Sequence, residues 1–103
     1  MNAEYFKDMV LDELESAESY IKNAFELRSM SPEMAKTFYD MSAQELNHAT
    51  NFYNMYHTYH KAITSTMKEG SIPNYIDEIT KEIDEKYLNM SAQIRVMHQM
   101  YSK

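Results

Sequence analysis

Pro32, Gly70 and Pro73 are the only prolines and glycine in a chain of 103 residues, and they fall at just two places. A chain so poor in helix breakers has few points at which it can turn. SMSPE at 29–33 ends one helix and begins another, with Ser31 as N-cap, Pro32 at the first helical position and Glu33 in the first turn. EGSIPNY at 69–75 repeats the pattern, with Gly70 as the C-terminal stop, Pro73 as an early helical residue, and Asp77 and Glu78 near the positive end of the dipole. Three helices are therefore predicted, at about 3–29, 32–68 and 74–101. Helix formers fill them and β-branched residues are sparse, so the fold class is all-α and the length suits a single domain, 1–103. The second helix would run on the order of 50 Å, longer than its neighbours, so its distal half needs a partner outside its own hairpin.

Composition removes several function classes. With no cysteine there is neither a disulfide framework nor a thiolate metal site, and any metal must be held by carboxylate oxygen and imidazole nitrogen. A formal charge of -6 without Lys/Arg clusters argues against nucleic acid and anionic membranes as partners. No segment approaches the roughly 20 apolar residues of a membrane span, and MNAEYFKDMV carries acids where a signal peptide would be apolar. A cytoplasmic location is the expectation.

Each predicted helix carries an apolar stripe at three- and four-residue spacing, the signature of bundle packing. The first reads Phe6, Val10, Leu14, Ala17, Ile21, Ala24, Phe25, and the third Ile76, Ile79, Ile83, Tyr87, Met90, Ile94, Met97, Tyr101. The second reads Met34, Phe38, Met41, Glu45, His48/Ala49, Phe52, Tyr56, Tyr59, Ile63, Met67. Glu45 thus stands in the middle of an apolar face, where an unpaired carboxylate costs several kcal/mol and needs compensation.

Residues at i and i+3 share a helix face, so Glu45 and His48 can grip one ion between them. Bundle-core di-metal sites combine a Glu from each of two helices with Glu-x-x-His from each of two others. The first helix offers Glu13, Glu15 and Glu18. Counting outward from the turn, Glu13 and Glu15 reach about the depth of Glu45 and His48, while Glu18 falls shallow. Glu13 lies beside the apolar stripe and Glu15 towards the rim, which makes Glu13 the candidate inward ligand.

DELESAESY followed by SPEMAKTFYDMSAQELNHA resembles the metal-binding hairpin of the ferritin-like superfamily. Within it, the pattern is most similar to the encapsulated ferritins and short rubrerythrin-like hairpins: an acidic cluster ahead of a tyrosine, then Pro-Glu opening a helix that reaches Glu-x-x-His-Ala. The matching positions are Asp12, Glu13, Leu14, Glu15, Ser16 and Tyr20, then Pro32, Glu33, Met34, Glu45, His48 and Ala49, within about residues 10–56. The resemblance implies Glu13, Glu45 and His48 as metal ligands, Asp12 and Glu15 as access or secondary-metal positions, and Tyr20 as a nearby hydroxyl. Ser19 stands where the family has an aromatic, and the turn is about two residues longer. HQMYSK offers no apolar docking peptide, so an encapsulin shell as partner does not follow from the resemblance.

One Glu and one Glu-x-x-His make half of a di-metal site. The third helix cannot supply the rest, since Arg95 stands three residues before His98. The expectation is a homodimer or higher homo-oligomer in which two hairpins complete a four-helix bundle around a two-fold axis. Carboxylate and imidazole ligands suit iron, with manganese or zinc as other candidates. Ferroxidase activity is the functional expectation, oxidising Fe(II) with dioxygen or peroxide, and peroxide reduction or oxygenation would use the same ligands. The alternative is a ferritin-like structural or oligomerisation protein without turnover. His57 and His60 are read as surface residues rather than a second metal site, His98 as solvent-facing or a dimer contact, and the ten Met and nine Tyr as core and interface filling.

Overall fold

The structure is a computed structural model that describes residues 1–68 and 70–103; Glu69, first residue of the EGSIPNY stretch, lies outside the described residues. The chain forms three helices, α1 (Ala3–Leu27), α2 (Pro32–Thr64) and α3 (Asn74–Tyr101), with no strand among the described residues. It is all-α as expected. The molecule is elongated, 58 × 20 × 16 Å, because α2 has 33 residues and the other helices lie along it.

The first break forms as the sequence predicts. Ser31 is the N-cap of α2, its hydroxyl accepting from the Met34 N–H at 3.2 Å, and Pro32 opens the helix. The Met30 and Ser31 N–H groups close back on the Leu27 carbonyl at 3.0 and 2.8 Å, so α1 stops two residues short of the expected 29. The second break differs more. α2 ends at Thr64, not near 68, where Thr64, Ser65 and Thr66 hydroxyls donate to the carbonyls of His60, Ala62 and Ile63. The Ser65 and Thr66 hydroxyls satisfy carbonyls that another helical turn would otherwise use, whereas the Thr64 bond is of the kind also made within the helices. Gly70, with φ +82°, therefore sits in the connecting turn and not at the helix stop, and Pro73 is the N-cap of α3, not an early helical residue.

Most of the stripes on α1 and α3 are buried as expected. Val10, Leu14 and Ala17 of α1 meet Leu46, Ala49, Tyr87 and Ile94 in one cluster, and Ala3 and Phe6 meet Tyr56, Ile79 and Ile83 in another. The stripe on α2 is displaced only in its first half. The buried residues are Ala35, Ser42, Leu46, Ala49 and Tyr56; the first three lie one position round from Met34, Met41 and Glu45, while Ala49 and Tyr56 are buried as expected. Small side chains at Ala35, Ser42 and Ala49 let α1 approach closely, and close approach outweighs the larger apolar residues on the next face. Glu45 consequently lies at the margin of the core rather than at its centre.

Ser42 gives this contact a polar bolt. Its hydroxyl donates to the Ala17 carbonyl at 2.6 Å and, its one proton being used, accepts from His98 Nε2 at 2.8 Å. His98 is thus half-buried and tied to α2, not solvent-facing. Burial, reinforced by Arg95, pushes its imidazolium towards losing its proton. Ser42→Ala would strip the His98 N–H of its acceptor, and an expected loss of about 1–2 kcal/mol in urea unfolding checks this contact.

Candidate metal centre

Glu13 projects from α1 one residue before the buried Leu14, and Glu45 from α2 one residue before the buried Leu46. Where the two helices pack through Leu14 and Leu46, the preceding acids are carried to the same edge of the seam. His48, one turn beyond Glu45, closes over them. His48 Nδ1 lies 3.6 Å from Glu45 Oε1 and 3.7 Å from Glu13 Oε2. One donor atom from each residue falls within 4.8 Å of the others, and this is the one such His/Asp/Glu group of three among the described residues. The three residues chosen from the sequence are thus brought together across two helices.

Their environments differ. The Glu13 side chain is 18% exposed, Glu45 25% and His48 53%, so the group opens outward through the imidazole. Glu13 Oε2 is buried and has no hydrogen-bond partner among the described residues. The Glu13 carboxyl is pushed up to about 7, first because Glu45 stands close enough to share its proton, then by loss of water and by the charge of Glu45, with His48 acting in the opposite sense. A buried carboxyl oxygen without a hydrogen-bond partner among the described residues, beside a second acid and an imidazole, is a donor set that a divalent cation would satisfy on displacing the proton. Two oxygens and a nitrogen from one chain would leave the outward side of such an ion open to further ligands.

The other expected positions stay outside the group. Asp12 and Glu15 are exposed. Glu18, set aside from the sequence as too shallow, pairs with Lys22 at 3.2 Å. Tyr20 is half-buried against Phe38, ring centroids 6.0 Å apart. No family model matches the chain, and neither a curated protein nor a solved structure does.

A second polar cluster escaped the sequence reading. His57 Nε2 lies 2.7 Å from Asp84 Oδ1, and the Tyr53 hydroxyl donates to the same oxygen at 2.8 Å. Tyr53 stacks on Tyr87 at 4.0 Å, and the Tyr87 hydroxyl pairs with that of Thr50 at 2.8 Å. Burial first, then the hydrogen bond to Asp84, pushes the Tyr53 phenol up to about 12, which keeps it a donor. His57 is therefore an interhelix contact rather than a free surface residue, while the buried Nε2 of His60 has no hydrogen-bond partner among the described residues. The available signal was Asp84, an acid directly after the buried Ile83, but its partner depends on a helix register that spacing within α3 does not reveal. Asp84→Asn should cost about 1–2 kcal/mol in thermal or urea unfolding while leaving metal uptake at Glu13, Glu45 and His48 unchanged.

Proposed function

We propose that the protein is a ferritin-like di-iron carboxylate protein in which Glu13, Glu45 and His48 bind Fe(II) between two subunits and promote its oxidation to Fe(III). The observation that carries this reading is the buried, unpartnered Glu13 Oε2 beside Glu45 and His48. The donor set is hard and anionic, and carboxylates favour Fe(III) over Fe(II), so transfer of an electron from each Fe(II) to dioxygen or peroxide becomes easier. Manganese and zinc fit the same donors. The chain's residues have distinct tasks: Glu13 and Glu45 supply negative charge from two helices, and His48 adds a nitrogen donor at the rim, leaving the outward side open to a second copy.

A second copy is part of the proposal because one chain supplies half the ligands of a di-iron centre. The surroundings of the group suit such a contact. Met9, Met41 and Phe52 are only half-buried on α1 and α2, and Met34 and Met55 are exposed at 50% and 49%. Two copies related by a two-fold axis would cover this face and place the two triads against each other.

The test is to titrate metal-free protein with Fe(II) under air and follow near-ultraviolet ferric absorbance alongside mass by analytical ultracentrifugation. The reading expects oxidation faster than in buffer and a dimer or larger assembly. A dimer that neither binds iron nor accelerates its oxidation would favour the structural alternative, and a monomer under all metal conditions would overturn the shared site.

A further inference from the structure

We propose that the end of the bundle remote from the triad binds a small organic cation with an apolar body, of the aralkylamine type. A cavity of about 590 Å³ opens where the start of α1, the end of α2 and the start of α3 converge. Ala3 and Glu13 are ten residues apart on α1, which places the cavity roughly 15 Å along the helix from the candidate metal centre. The volume is that of a small-molecule site.

The lining sorts into two parts. Tyr59, Ile63, Ile76 and Ile79 supply an apolar wall, and Glu4, Glu78 and Glu82 stand around it as carboxylates. Lys7 answers two of these, at 3.1 Å from Glu82 and 3.9 Å from Glu4, while Glu78 has no ion pair among the described residues. The mouth therefore keeps an excess of negative charge beside a surface that water wets poorly. A ligand matching both parts carries an apolar, preferably aromatic, body against Tyr59 and the isoleucines, and an ammonium group towards Glu78. An anion of the same shape would meet the carboxylates, and an uncharged one would forgo their attraction.

The probes are 4-phenylbutylamine and 4-phenylbutyrate, which share a body and differ in the sign of the head. Isothermal titration of the full chain, with methyl NMR on Ile63 and Ile79, should give saturable binding of the amine with at least about tenfold preference over the acid. Glu78→Gln should weaken the amine several-fold, Glu78→Lys should remove the preference, and Ile63→Trp should fill the cavity and abolish binding with helical circular dichroism retained. Absence of saturable binding at low millimolar amine, equal affinity for the acid, or undiminished binding to Ile63→Trp would overturn the proposal. Dissociation of a wild-type oligomer by Ile63→Trp would instead assign the cavity to a second copy and overturn it equally. Because Glu13, Glu45 and His48 are untouched by these variants, the outcome is independent of whether iron is bound or oxidised.

Discussion

Alanine at His48 or at Glu45 is expected to abolish stoichiometric metal uptake, from about one iron-class ion per chain to background in elemental analysis. The group holds three donors from one chain, and loss of any one leaves two weak contacts at a solvent-open rim. A drop in affinity of at least about 100-fold is the expected scale, judged from the smaller losses produced by altering residues behind a ligand. Fold should survive, because His48 is 53% exposed and Glu45 borders the core without filling it. Circular dichroism and urea unfolding of the metal-free variants separate lost ligation from lost structure. Uptake undiminished in both variants would remove the triad from the proposed site.

Glu13→Gln is expected to stabilise the metal-free protein while weakening metal binding, and pH supplies the diagnostic. In the unfolded chain the Glu13 carboxyl has its ordinary value near 4.5, whereas in the folded chain it is pushed up to about 7. Between these values the folded state retains a proton that the unfolded state has released. Its contribution to stability is therefore full below about pH 4.5, falls as pH rises, and is gone above about 7. Allowing for water at the rim of the group, the swing is about 1–2 kcal/mol. His98 acts in the opposite direction, since burial disfavours its charged form and the folded state gains as that proton leaves. The difference between wild type and Glu13→Gln in urea unfolding across this pH range isolates Glu13. A metal must displace the same proton, so cation affinity should climb by up to about tenfold per pH unit over the window and flatten above it. A wild-type curve parallel to that of Glu13→Gln would show that the carboxyl titrates normally.

The element order was legible because helix termination is local chemistry. Ser31 and Pro32 define the start of α2 from their own side chains and backbone, whatever packs nearby. The end of α2 was less legible, since Gly70 signals a turn while the hydroxyls of Ser65 and Thr66 take up the last carbonyls earlier. The buried face of α2 was misjudged for a different reason. In its first half apolarity favours Met34, Met41 and Phe38, but two helices pack through small side chains, here Ala35 and Ser42, while Ala49 and Tyr56 further along are buried as expected. Glu13, Glu45 and His48 could still be brought together on paper, because a hairpin with a short turn fixes depth by counting residues from the bend. No comparable count joins α3 to α2 across residues 65–73. That is why Asp84 could not be matched to His57 and Tyr53, or His98 to Ser42.

The seam of Ala17, Ala24, Ala35, Ser42 and Ala49 acts as a spacer gauge for the acids beside it. The reach from Glu13 to His48 and Glu45 is set less by those three residues than by how thin the neighbouring side chains are. A bulkier substitute at Ala17 or Ala49 would widen the gap between the two rods and pull the oxygens out of range of a common guest, with every ligating residue still in place. The alanines hold no ion and carry no charge, yet they fix the bite of the pincer.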